Sequence, residues 1–133
     1  CTLSGTMRYF DKEIAKLVRK RMREIIEGIK KSYNVEIDLD NREIFDVLVN
    51  DQELSKVMLD VASEIVGAEN AFFRTDLVTG SEDFSDMLQV VPGAYCNIMH
   101  GGTVPLHNDG FILDDGILPI GASIYARLVE KRG

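Results

Sequence analysis

The sequence has few of the residues that stabilise small secreted proteins. It contains two cysteines in 133 residues, which is too few for a disulfide framework and fits a reducing compartment. No apolar run resembles a membrane span, and no segment resembles a secretory signal. We therefore expect a cytoplasmic protein with no membrane partner.

Histidine is also scarce, and acidic residues outnumber basic ones. The two histidines, His100 and His107, are too few to build a two-metal site from this chain alone. The net charge of −7 argues against nucleic acid as a general partner. Basic residues are concentrated between Asp11 and Lys31, where they are typical of a solvated helix face.

Hydrophobic periodicity predicts a strand, a helix and a second strand near the start of the chain. Residues 2–10 alternate apolar with polar side chains, residues 11–32 carry apolar side chains at helical spacing, and residues 33–39 alternate again. This order predicts a split βαβ unit with its helix on one side of the sheet. A chain that opens in a strand pattern with no lead-in suggests a piece of a longer protein.

The middle of the chain predicts a capped helix and two further strands. Asn50 is expected to cap a helix, with Glu53 completing a capping box. Residues 71–77 and 94–99 read as strands, and the second strand would bury Cys96 in the core.

Gly80 begins a turn that is predicted to lead into another helix. Glycine suits a positive φ, Ser81 can cap the helix, and Glu82 and Asp83 suit its first turn. Free N–H groups at such a helix start can hold a carboxylate or phosphate. Downstream, His107 lies on a short loop, where a neutral imidazole can bind a metal ion.

Several motifs occur in one characteristic order along the chain. They are Gly5–Asp11, Asn50-Asp51, Gly80–Ser85, Val91–Tyr95, Leu106–Asn108 and Asp114–Leu118. In these motifs the sequence resembles the C-terminal part of the dinuclear metal-dependent amidohydrolases and carboxypeptidases, metallopeptidase family twenty, which includes aminoacylases and auxin-conjugate hydrolases. It departs from that pattern at Phe45-Asp46-Val47, where the family usually has Tyr-Pro.

The resemblance implies an α/β fold made of two parts. Residues 1–45 would form the second half of an open-faced βαβ lid and dimerisation domain. Residues 46–133 would form the C-terminal βα part of an α/β zinc-peptidase catalytic domain. The sheet edge of half a lid would need cover by the missing half or by another chain. Because the family's lid also mediates dimerisation, the resemblance implies a homodimer through residues 1–45.

The resemblance further implies hydrolysis of an amide bond in an N-acyl amino acid or at a peptide C-terminus. Two divalent metal ions would take part, zinc first, with manganese, cobalt or nickel as alternatives. His107 matches a metal ligand, and Gly80 and Ser81 match a loop that lines the substrate pocket. Arg8, on the lid-strand motif, could pair with a substrate carboxylate or brace the lid. The family's catalytic base and remaining ligands lie upstream of the lid, so the resemblance implies no catalytic residue here and an inactive isolated chain.

Two other hypotheses remain open. In one, the chain is a non-catalytic module for small-ligand binding or dimerisation, and His107 is incidental. In the other, His100, His107 and Asp109 form a self-contained site for one metal ion. The metal content of the intact gene product distinguishes the first of these from a hydrolase.

Overall fold

Four helices carry the regular structure of residues 1–132. The computed structural model describes residues 1–132. The helices are α1 (Lys12–Tyr33), α2 (Gln52–Val66), α3 (Phe84–Leu88) and α4 (Leu118–Arg132), with short 3₁₀ turns at Ala68–Asn70 and Asp115–Ile117. No strand occurs among these 132 residues. Within the same residues, no helix is both long and apolar enough to cross a membrane.

The predicted α/β fold, with half a βαβ lid followed by the βα part of a zinc-peptidase domain, was wrong. Alternating side chains decide which face of a strand is apolar, but a strand exists only where its N–H and C=O groups pair with a neighbouring strand. No backbone hydrogen bond joins any two of the predicted strand segments, which are 2–10, 33–39, 71–77 and 94–99. Cys96, expected in the core of such a sheet, is exposed.

Helix α1 is confirmed, and both of its ends have a clear local cause. The Asp11 carboxylate accepts hydrogen bonds from the N–H groups of Glu13 (2.7 Å) and Ile14 (3.0 Å), which caps the N-terminus. At the other end Asn34 adopts the left-handed conformation, with φ 51° and ψ 50°, and its N–H bonds to the carbonyl of Lys30. Asparagine tolerates this conformation, so it ends the helix.

The apolar stripe of α1 is mostly open to solvent. Ala15 is its one fully buried residue, while Ile14, Leu17 and Ile25 are 52%, 52% and 55% exposed. A helix with such a stripe normally buries it against another element. In this fold α1 is held largely by polar contacts near its N-terminus, described below with the candidate site.

The chain divides into two compact units that are interleaved in sequence. The first unit consists of Cys1–Val49 and Asp76–Val90, and the second consists of Asn50–Thr75 and the chain from Val91 onward. The boundary expected between residues 45 and 46 from the family resemblance stays a prediction.

The second unit is built on the packing of α2 against α4. Val61 is the buried residue of α2 and Ile124 is the buried residue of α4. Glu64 on α2 joins the helices at the surface, because it accepts hydrogen bonds from Arg127 (2.8 Å) and from Lys131 on α4. These exposed ion pairs add little stability compared with the buried apolar residues.

The start of α2 is fixed by two adjacent residues with different roles. Asp51 is the cap, since its carboxylate accepts from the N–H of Leu54 at 2.9 Å. The expected cap at Asn50, with a capping box to Glu53, was therefore wrong by one residue. The Asn50 amide instead pairs with the backbone of Tyr95, accepting from its N–H and donating to its carbonyl, both at 2.8 Å. A carboxamide can do both at once, so Asn50 ties the start of α2 to the segment after Val91.

Substituting Asn50 by Asp should destabilise the second unit. The carboxylate can still accept from the Tyr95 N–H, but it cannot donate to the carbonyl and places a charge against it. We expect a loss of about 1–3 kcal/mol in the free energy of unfolding, measured by urea denaturation with circular dichroism at 222 nm.

The matched control is Asn97→Asp, which makes the same chemical change at an exposed position. It should leave the urea midpoint nearly unchanged. Equal midpoints for Asn50→Asp and the unsubstituted chain would contradict a structural role for the Asn50 amide.

Candidate functional site

Three segments of the first unit meet around a small surface cavity. The cavity has a volume of about 50 Å³ and is lined by residues 7–9, 45–46 and 78–81. It therefore contains Arg8, Gly80 and Ser81, which the sequence assigned to substrate binding. Arg8 Nη1 donates a hydrogen bond to Ser81 Oγ, although 73 residues separate them along the chain. The structure thus brings the three residues together, while their role in binding stays a prediction.

The turn at Gly80 differs from the predicted helix start. Helix α3 begins at Phe84, its N-cap is Asp83, and no side chain caps it. Gly80 does not need a positive φ, since Gly67 and Gly101 are the glycines with positive φ within residues 1–132. Ser81 cannot cap a helix that begins three residues later, and its hydroxyl bonds to Arg8 instead. The predicted cap was therefore wrong, while a carboxylate cradle at Gly80 and Ser81 stays a prediction.

The cavity lining has one cationic and one anionic residue, Arg8 and Asp46. Asp46 is paired away from Arg8: Lys12 Nζ lies 2.5 Å from its Oδ2, and the Val47 N–H donates to its Oδ1 at 2.7 Å. Burial alone raises the pKa of Asp46, but the hydrogen bonds from Lys12 and Val47 outweigh it and leave the pKa below its ordinary value. Asp46 is therefore ionised and matched by Lys12 at neutral pH.

A second polar cluster holds the segment that carries Arg8 against α1. The Tyr9 hydroxyl donates to Glu43 Oε1 at 2.6 Å, and Arg19 Nη2 lies 2.8 Å from the same oxygen. The Arg19 guanidinium also lies 5.7 Å from the centre of the Tyr9 ring, within cation–π range. The hydrogen bond to Glu43 and burial raise the pKa of Tyr9, because both disfavour the phenolate. Tyr9, the residue next to Arg8 in the chain, is thus held in place by both Glu43 and Arg19.

This cluster predicts a measurable change in the titration of Tyr9. Replacing Glu43 by Gln removes the charged acceptor, so the pKa of Tyr9 should fall towards that of an ordinary tyrosine. The raised pKa also means that the contribution of Tyr9 to stability is present at neutral pH and is lost as the pH rises through its folded-state pKa. Absorbance at 295 nm against pH, with Tyr9→Phe to assign the signal, measures the shift.

The control for this titration is Glu53→Gln, at a surface glutamate that pairs with Lys56. It should leave the Tyr9 transition in place. An unchanged transition in Glu43→Gln would show that Glu43 does not contact the phenol in solution.

The two histidines lie in different surroundings within the second unit. His100 is half-buried, and its ring packs edge-on against Phe111, with ring centroids 5.2 Å apart and an interplanar angle of 86°. His107 is exposed on a turn and has a positive φ of 63°. Among residues 1–132 the other non-glycine residue with positive φ is Asn34, which ends α1. The turn thus gives His107 a backbone conformation that is uncommon for non-glycine residues, although histidine adopts it more readily than most.

The described residues do not form a metal site on their own. Within residues 1–132, no three His, Cys, Asp or Glu side chains come close enough to share a metal ion. The hypothesis of a one-metal site from His100, His107 and Asp109 is therefore not supported. His107 could supply a single ligand, and a bound metal ion would need further ligands from outside these residues.

Comparison with known proteins settles the family. The sequence pattern of "Peptidase family M20/M25/M40" matches residues 5–131. The chain belongs to this family. The match includes Arg8, Gly80, Ser81 and His107, so every residue singled out for binding lies inside the family region. Peptidases of the M20 family are generally metal-dependent, usually on zinc.

Individual relatives are hydrolases with different names. Hippurate hydrolase of Campylobacter jejuni is 28% identical over 98% of this chain and 34% of its own length. Thermostable carboxypeptidase 2 of Saccharolobus solfataricus is 29% identical over 97% of this chain and 33% of its own length. N-acetylcysteine deacetylase of Bacillus subtilis is 28% identical over 95% of this chain and 32% of its own length. The chain thus spans about a third of the length of these relatives. No solved structure matches it significantly.

Proposed function

We propose that the protein to which this chain belongs hydrolyses an amide bond next to a free carboxylate, in an N-acyl amino acid or at a peptide C-terminus. The names of the M20 relatives support this class of substrate. The observation that carries the proposal is the contact between Arg8 and Ser81, because it joins two distant segments that the family resemblance assigned to the substrate.

In this proposal the first unit binds the substrate carboxylate. The Arg8 guanidinium has N–H groups beyond the one used by Ser81 and can donate them to a carboxylate. Ser81 Oγ accepts from Arg8 and can donate its own hydrogen to the same anion. Met7, Phe45 and Val78 provide apolar lining beside these polar groups. The chain's part in the reaction is thus to hold and orient the substrate.

His107 is proposed as one ligand of a divalent metal centre. Zinc is the preferred assignment, with manganese, cobalt or nickel as alternatives. Such a centre polarises the scissile carbonyl, and its base and other ligands would lie outside this chain. The position of His107 inside the region that the family pattern matches supports this assignment. We also propose that the isolated chain is inactive, that residues 1–45 mediate a homodimer, and that the protein is cytoplasmic.

Substituting His107 by Asn tests the metal assignment. Asparagine tolerates positive φ, so the backbone should be kept while the imidazole is lost. In the full gene product, with N-benzoylglycine as substrate and zinc present, we expect kcat to fall about 100-fold or more, with one metal ion per chain lost by elemental analysis.

The control is His100→Asn, at the histidine that packs on Phe111. It should lower the melting temperature but keep the metal content. Two results would contradict the proposal: full activity in His107→Asn, or hydrolysis by the isolated 133-residue chain that depends on His107.

Substituting Arg8 by Met tests the carboxylate site. If Arg8 binds the substrate carboxylate, KM for N-benzoylglycine should rise about 100-fold with kcat little changed, because the interaction is present in both ground and transition states. Ser81→Ala should have a smaller effect in the same direction.

The alternative role of Arg8, bracing the fold, gives a different result. In that case the melting temperature would fall in Arg8→Met while KM stayed the same. Steady-state kinetics and thermal denaturation of the same samples separate the two roles.

A further inference from the structure

The cavity in the first unit is lined by a carboxylate as well as by the arginine proposed to bind a carboxylate. The lining contains Arg8 and Asp46 together. A carboxylate beside a carboxylate-binding arginine would repel the ligand or pair with the arginine itself. Neither residue forms an ion pair with the other within 4 Å, and the hydrogen bond of Arg8 goes to the neutral Ser81 hydroxyl.

Lys12 is placed to remove this conflict. Its ammonium lies 2.5 Å from Asp46 Oδ2, and it also donates to Gln89 Oε1 at 2.7 Å, next to the end of α3. The second oxygen of Asp46 accepts from the Val47 N–H at 2.7 Å. Both oxygens of Asp46 are therefore engaged, and Gln89 fixes the position of the lysine. The Asp46 side chain is 20% exposed and the Lys12 side chain is 52% exposed, so the carboxylate is partly shielded from solvent while the ammonium is not.

We propose that the Lys12–Asp46 pair is a specificity device that keeps the cavity at a net charge of +1, so that it binds a single carboxylate on an apolar stem. Lys12 cancels Asp46, and the charge of Arg8 remains available to the ligand. Met7, Phe45 and Val78 favour an apolar group beside the carboxylate. This inference rests on the proposed function, because it takes the ligand to be a carboxylate held by Arg8.

The test is a charge cycle at positions 12 and 46, read by binding of N-benzoylglycine to the metal-depleted full gene product, which is not expected to hydrolyse it. Binding is followed through the backbone amide NMR signals of Gly80 and Ser81. Lys12→Gln leaves Asp46 uncompensated and should weaken binding about tenfold at low salt. Asp46→Asn should bind at least as tightly as the unsubstituted protein. The double variant should return to within about twofold of it.

The neutral ligand N-benzoylglycinamide provides the control that separates charge from structure. If the pair acts through charge, Lys12→Gln should leave the affinity for this amide unchanged, and its effect on N-benzoylglycine should shrink as salt is added. Equal weakening for both ligands would mean that Lys12 only supports the fold, and it would overturn the inference.

Failure of this inference can be told apart from failure of the proposed function. If the full gene product hydrolyses N-benzoylglycine but Lys12→Gln binds it normally, the charge device is wrong and the hydrolase remains. If N-benzoylglycine neither binds nor is hydrolysed, the proposed function and the inference that rests on it are both wrong.

Discussion

In the first unit, side-chain ion pairs hold the extended segments in place, as backbone hydrogen bonds hold the strands of a sheet. Residues 1–10 and 36–49 make no backbone–backbone hydrogen bonds with each other in the described structure. Residues 36–49 are held to α1 by Glu43 with Arg19 and by Asp46 with Lys12, and residues 1–10 contact α1 through Tyr9 and Arg19. Pairs of this kind are sensitive to salt and to charge, whereas a strand ladder is not. The geometry around Arg8 is therefore tied to the ionisation of its neighbours.

Sequence reasoning succeeded where the signal was local or was a repeated pattern. The helical spacing of apolar residues identified α1, because a helix satisfies its own backbone hydrogen bonds. The order of short motifs identified the family, since several matches in order are far more specific than one. The strands could not be judged in this way, because alternation says nothing about whether a partner strand is present. Ser81 was misplaced as a cap because its hydroxyl bonds to Arg8, a residue 73 positions away.

Of the candidate site, the sequence named three residues that line the cavity but missed the charged pair beside them. Arg8, Gly80 and Ser81 came from the resemblance, and they do share one cavity. Asp46 and Lys12 were missed, since neither belongs to a recognised motif and their pairing is a property of the fold. The sequence did contain one indication of Asp46, because Phe45-Asp46 stands where the family usually has Tyr-Pro. His107 was named from the same resemblance, but its positive φ could not be read from the sequence.

The interleaving of the two units has a consequence for how the chain matures on the ribosome. Residues 50–75 belong to the second unit, yet they are made before Asp76–Val90, which completes the first. Arg8 must therefore wait for Ser81, 73 residues later. At a translation rate of about 5–20 residues per second, this delay is roughly 4–15 s. During that interval the first unit lacks Asp76–Val90, so it can complete its fold only after the chain of α2 has already been made.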